Sequence, residues 1–214
     1  MRKNFILLIS FLLLASCINL KEPYPQINYY KLSPDNSSVS HLEPIDATLM
    51  IRDFTASSEI ETTHLLTLWD NSYIQKYYYH RWISDAPNMV TDYINSVLSS
   101  NKFFTKGVVN SSSLAIPDYI IEGEILDMMA YSTKKSEPNQ NYVFISVKIT
   151  LIKRTMLLDD NDVLLSEVYP FKIIRKDNKV NTIPDSFSRA WTKVADQIVV
   201  AVHNQIKKDK EGSI

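Results

Sequence analysis

Five apolar residues stand at every second position between residues 143 and 151: Val143, Ile145, Val147, Ile149 and Leu151. A strand turns successive side chains to opposite faces, so this run buries one face of a sheet along its whole length. Tyr119 to Tyr131 before it and Val163 to Lys176 after it read as two further long strands, rich in β-branched and aromatic residues. Lys135 to Asn141 and Asp159-Asp160-Asn161-Asp162 read as the turns between them. Connections of hairpin length make the three strands antiparallel.

An apolar sheet face has to be covered, and two segments have the periodicity to do it. From Pro87 to Ser100, residues Met89, Val90, Tyr93, Ile94, Val97 and Leu98 recur at helical spacing, with Asp85 placed to cap the start. From about Ser186 to Lys207, a stripe of Phe187, Trp191, Val194, Ile198, Val202 and Ile206 predicts a long amphipathic helix capped by Asp185. Lys207, Lys208 and Lys210 suit the negative end of its dipole. Shorter strands are expected at 28–32, at 47–54 with Leu49 and Ile51 on one face, at 72–80 and at 103–109. Residues 55–71 read as a loop whose Leu65, Leu66, Leu68 and Trp69 tuck onto the body. The expected fold is a single α/β domain, a mixed and largely antiparallel sheet covered by two main helices, with the first helix able to join parallel strands.

Composition narrows the function. Of 214 residues, 23 are Lys or Arg and 24 are Asp or Glu, which lacks the basic surplus of a nucleic-acid protein. Only three are glycine, against about fifteen at the average usage of about 7%. Gly107, Gly123 and Gly212 stand too far apart to form a phosphate cradle or a dinucleotide turn. The four histidines, His41, His64, His80 and His203, show no zinc-type spacing, and His203 is expected at the solvent edge of the last helix. The Asp159–Asp162 run lacks the glycine and the correctly spaced glutamate of a calcium loop. No catalytic residue, metal site or cofactor is expected, and the chain reads as a non-enzyme.

The single cysteine, Cys17, follows Leu14-Ala15-Ser16 at the end of an eleven-residue apolar run, Phe5 to Ala15, behind Arg2 and Lys3. The run is too short to cross a hydrocarbon core of about 30 Å, and its charged start marks a signal segment. The tetrad resembles the lipobox of bacterial lipoproteins, in which the cysteine is acylated and becomes the first residue after cleavage. On that resemblance residues 1–16 are a signal peptide, 17–27 a lipidated tether, 28–207 the folded domain and 208–214 a polar tail. Ile18 stands where an aspartate tends to retain such proteins at the inner membrane, so the resemblance implies the inner leaflet of the outer membrane, facing the periplasm. Eleven residues reach at most about 36–40 Å, which holds the domain close to its bilayer.

Tyr73, Tyr77, Tyr78, Tyr79, His80, Arg81 and Trp82 form a cluster whose composition is that of interface cores. The lipobox, Asn28-Tyr29-Tyr30-Lys31-Leu32, Leu49-Met50-Ile51-Arg52-Asp53-Phe54, the aromatic strand ending in Trp82, Ser84-Asp85-Ala86-Pro87 and Phe103-Phe104 follow in order. Asp118-Tyr119 to Asp127 and the Phe187–Trp191 helix complete the series. This order resembles the ABC-type transport auxiliary lipoproteins, the group that includes the lipoprotein of the paraquat-inducible system. Ala86-Pro87 departs from it, since members often carry two prolines there.

The resemblance implies an anticodon-binding-domain-like fold and a non-enzymatic role in lipid or organic-solvent transport. The implied partners are an MCE-domain substrate-binding protein and its ABC permease and ATPase, whose periplasmic part the lipoprotein would dock at the outer membrane. A ring of subunits is compatible with the family, and no residue fixes their number. The partner contact is expected at an exposed sheet edge or around Tyr77, Tyr79 and Trp82. An envelope-assembly lipoprotein, a lipopolysaccharide-insertion plug or cell-wall-synthase activator, is the alternative, because fold alone does not separate these functions.

Overall fold

The structure is a computed structural model, and the residues it describes are 24–33, 39, 42–100, 102–134, 140–155 and 162–212. The lipobox with Cys17, His41, most of the 135–141 turn and Asp159 to Asn161 lie outside them. In chain order the elements are β1 (Asn28–Tyr30), β2 (Leu49–Ile51), β3 (Thr55–Ala56), β4 (His64–Trp69), β5 (Tyr73–Trp82), α1 (Ala86–Ser100), β6 (Val108–Asn110), β7 (Tyr119–Ser132), β8 (Tyr142–Lys153), β9 (Asp162–Ile174), a short 3-10 turn (Val180–Thr182) and α2 (Ile183–Gly212).

Strand β7 is the spine of one nine-stranded mixed sheet. Along one edge it pairs antiparallel with β8 over its length, and β9 pairs antiparallel beyond β8. Along the other edge β2, β3 and β4 lie end to end, all parallel to it, with Leu49 opposite Tyr119, Thr55 opposite Glu124 and Thr67 opposite Ala130. β6 flanks β2 in parallel, β5 flanks β4 antiparallel, and β1 adds to β5 in parallel. The long pairings are antiparallel and the parallel ones short, as the sequence leads one to expect. Helix α1, however, links β5 to β6, which are not neighbours and run in opposite directions.

The alternation of β8 works as read: Val143, Ile145, Val147, Ile149 and Leu151 are all fully buried. They meet the stripe of α2, whose Phe187, Trp191, Val194, Ile198, Val202 and Ile206 are equally enclosed. Thirty residues make α2 about 45 Å long. Its far end is tied down where Lys153 pairs with Asp209 at 2.9 Å and the Tyr119 hydroxyl donates to the same carboxylate at 2.7 Å. Helix α1 is capped as expected: the Asn88 amide donates to Asp85 Oδ1 at 3.0 Å. The two helices touch where the Tyr93 and Thr192 hydroxyls lie 3.1 Å apart.

Several expectations need correction. Residues 64–69 are strand β4, not loop, and 103–109 is not one strand: Phe104 makes only an isolated bridge to Ile45, and Gly107 turns the chain with φ of 95° before β6. Helix α2 starts at Ile183, so Asp185 lies within the first turn, paired with Arg189 at 3.2 Å, rather than capping it. The helix also runs on through Lys208 to Gly212, where a polar tail was expected. His203 is buried, not at the solvent edge. Its Nε2–H donates to the Glu43 carbonyl at 2.7 Å, and its ring stands edge-on to Phe103.

Candidate functional site

Among the described residues β1, β6 and β9 are outer strands of the sheet, and the β1 and β9 edges carry exposed apolar residues. On the β1 side the geometry starts from an irregularity between β4 and β5. His64 pairs with Arg81 and Leu66 with Lys76, so the four residues Tyr77 to His80 of β5 face one residue of β4. A bulge of this kind breaks alternation and re-aims side chains. It scatters the aromatic cluster that the sequence groups together. Trp82 turns inward, is only 4% exposed and meets Phe187 edge-on with ring centres 5.7 Å apart, so it is a core residue with no surface to offer a partner. Tyr77 is half-buried against His80. Of the three residues expected at a partner contact, Tyr79 alone is exposed, at 48%.

The bulge brings out a different set. Tyr78 is 71% exposed, with the Arg81 guanidinium 5.8 Å from its ring centre and His64 at its edge. Tyr29 of β1 pairs with Arg81 across the strands and is 56% exposed. Burial, helped by Arg81 and Lys76, pushes the His64 imidazole below its ordinary value. On the opposite side Tyr30, on the face of Trp82, sets its hydroxyl 2.8 Å from His80 Nδ1. Sequence reasoning placed Tyr78 in the interface cluster but not among the three contact residues, and it missed Tyr29. The available signal was three consecutive tyrosines, which a regular strand cannot place on one face.

Another edge is β9, which among the described residues pairs with β8 alone. Its thirteen residues include Pro170, no described strand pairs with its outer side, and Val163, Val168 and Ile174 stand exposed along it. Pro is tolerated at such an edge because it has no amide to pair. Close by, Tyr131 and Tyr142 stack at 4.8 Å and Lys172 Nζ lies 3.7 Å from the Tyr142 ring centre. Asp127 accepts a 2.6 Å hydrogen bond from Tyr131, yet burial pushes its carboxyl up and its Oδ1 has no partner. Just past the strand, Arg175 is 3% exposed. It donates to Ser132 Oγ at 2.9 Å through Nη2, while Nε and Nη1 have no partner.

On the sheet face away from the helices an open concavity of about 430 Å³ is lined by Arg52, Asp53, Thr55, Glu122, Glu124 and Lys148. Three of its charged side chains are engaged: Arg52 pairs with Glu122 at 2.6 Å, and Ser111 donates to Asp53 at 3.1 Å. The three described histidines bond to the Tyr30 hydroxyl, the Thr62 hydroxyl and the Glu43 carbonyl. Among the described residues no group of three or more His, Cys, Asp or Glu side chains could hold a metal ion. Among them too, no helix is long and apolar enough to cross a membrane.

No family model matches the chain, and no curated protein does. Its fold is nevertheless shared with solved structures. Protein XCC0632 from Xanthomonas campestris, assigned to DUF330, superimposes with a TM-score of 0.75 at 14% identity, over 86% of this chain and 99% of that one. An uncharacterized protein superimposes with a TM-score of 0.60 at 11% identity, over 83% of this chain and 99% of its own. At these identities the likeness establishes the fold, and the fold alone.

Proposed function

We propose that this chain is a lipid-anchored, non-catalytic envelope protein, an auxiliary lipoprotein of an MCE-associated ABC transport system for lipids or organic solvents. Cys17 carries the lipid, and the domain hangs from the inner leaflet of the outer membrane. The observation that carries the reading is the acylation tetrad ending at Cys17, eleven residues ahead of an edge strand. The fold is consistent with it: the helices cover one sheet face over a buried apolar core, and exposed apolar residues line the β1 and β9 edges.

Of the two surfaces the sequence offers to a partner, the Tyr77–Trp82 segment loses Trp82 to the core and half-buries Tyr77. The free edge of β9 is therefore the docking surface we assign to the MCE-domain protein, which would add a strand by main-chain hydrogen bonds. A photocrosslinking residue at Val168, in intact cells, followed by mass spectrometry of the adducts, tests this. Capture of an MCE-domain protein or its permease, absent with the probe at Lys193 on the helix, is the expected result. Capture of an outer-membrane barrel or a cell-wall synthase instead would replace transport with envelope assembly.

A further inference from the structure

We propose that the exposed aromatic corner formed by β1 and β5 rests on the lipid headgroups of the leaflet that holds the anchor, so that the domain lies on its membrane in one orientation. The inference rests on the acylation of Cys17 and adds to it a second, non-covalent contact by the folded domain.

Three observations meet at this corner. The first is its surface. Tyr29, Tyr78 and Ile83 surround Arg81: Tyr29 pairs with Arg81 across the strands, Arg81 lies over Tyr78, and the Ile83 amide donates to the Tyr30 carbonyl at 2.8 Å. All three are more than half exposed, and Tyr24 and Ile27, just upstream, are exposed as well. Tyrosine has an apolar ring and a polar tip, which suits it to the boundary between headgroups and water.

The second observation is charge. Residues 24–32 and 73–83 contain Lys31, Lys76 and Arg81 and not one aspartate or glutamate. In a chain with 24 acidic residues and 23 Lys and Arg, these two stretches are one-sided, and they are paired to each other in the fold. The nearest carboxylates in sequence are Glu22, which follows Lys21 in the tether, and Asp85, which is engaged in capping α1. A cationic rim around tyrosines fits an anionic lipid surface.

The third observation is reach. Seven residue steps separate Cys17 from Tyr24, at most about 25 Å of chain, and β1 follows four residues later. The acylated cysteine sits at headgroup level. The β1 corner is thus the part of the domain that the chain itself brings to the bilayer. The free edge of β9 lies five strand spacings across the sheet, about 24 Å away. A protein partner could also cover tyrosines and arginine, but the tether puts lipid there first.

The test uses the full-length acylated protein in vesicles of phosphatidylethanolamine and phosphatidylglycerol. Since Cys17 is the only cysteine, Tyr78→Cys or Val168→Cys introduces one site for an environment-sensitive fluorophore. Lipids carrying a headgroup nitroxide should quench the label at residue 78 several-fold more than the label at residue 168. Replacing both Tyr29 and Ile83 by serine should reduce that quenching while the protein still floats with the vesicles. Flotation with equal quenching at the two sites would overturn this inference and leave the anchor standing. Failure to float would refute the anchor itself, and the corner contact with it. A photocrosslinking residue at 78 that captures a protein in intact cells, in place of lipid, would also overturn it.

Discussion

Gly123 allows the packing argument to be tested where intuition from propensity points the other way. It is the only glycine inside a strand of this chain, buried in β7 opposite Ile149. Replacing an interior strand glycine by alanine ordinarily gains about 0.5–1 kcal/mol, because the unfolded chain loses freedom. Here a Cβ would stand closer than 3.0 Å to three carbons of the Phe54 ring. That ring is almost fully buried, and its residue is pinned, since the Phe54 amide donates to Thr91 Oγ1 at 2.9 Å on α1. Forcing a methyl into such a space costs about 1–3 kcal/mol, so the steric effect outweighs the propensity gain. Gly123→Ala should destabilise the domain by about 1–2 kcal/mol, or roughly 2–8 °C in Tm at about 2–4 °C per kcal/mol for a domain of this size. Urea titration gives the free energy directly. A double-mutant cycle with Phe54→Leu should recover a coupling within the range of about 0.5–3 kcal/mol seen for touching residues, because the smaller side chain makes room. A neutral or stabilising Gly123→Ala, or additivity with Phe54→Leu, would show that the ring does not lie over this glycine.

Trp82→Ala should cost about 3–5 kcal/mol in urea unfolding, as expected for a buried tryptophan, whereas Tyr79→Ala should stay within about 0.5 kcal/mol; the reverse ranking would put Trp82 back on the surface. Burial raises the Asp127 pKa in the folded chain, so the folded state holds that proton more tightly, and stability falls as pH rises from the ordinary carboxylate range through the folded value. Asp127→Asn should therefore raise Tm near pH 7, with the gain fading as acid protonates the wild-type carboxyl; a gain independent of pH would refute the assignment. Arg175→Met should be neutral or stabilising by thermal melting, since it removes a buried cation with two unpartnered nitrogens, and a large loss would mean the guanidinium has a counter-ion. Cys17→Ser should abolish incorporation of labelled palmitate and release the protein from the membrane fraction after cell lysis.

What could be read in advance depended on whether a segment has one buried face or two. Strand β8 and helix α2 each bury a single face, so period two and the helical stripe gave the right residues at almost every position. Strand β4 lies between β5 and β7, and Leu65, Leu66 and Thr67 are buried in succession. A strand covered on both faces has no alternation to detect, and Leu65 to Trp69 therefore looked like a loop with apolar contacts. The grouping of Tyr77, Tyr79 and Trp82 failed for another reason. Strand parity held only as far as the bulge, which resets which side each residue faces. Four residues opposite one cannot be inferred from composition, so the inward turn of Trp82 and the outward turn of Tyr78 needed coordinates.

In the connector role proposed above, the edges of the sheet would carry the contacts. Its helix-covered face is closed by α1 and α2, and in the concavity on the other face Arg52 and Glu122 pair with each other. The β1 and β9 edges differ in kind. The β1 edge is three residues long, too short to template a partner strand, but it carries rings and cations and follows directly on the tether. The β9 edge is thirteen residues long, with no described strand on its outer side and with β-branched side chains, which suits main-chain pairing. Lipid on the short edge and protein on the long one would set the partner about 24 Å from the headgroups across the sheet. Lengthening the tether by a flexible insert after Lys21 should then leave capture at Val168 unchanged if the corner itself holds the membrane, because the lipid contact, not the linker, fixes the height. If capture weakens as the linker grows, the tether alone sets the distance and the aromatic corner is free.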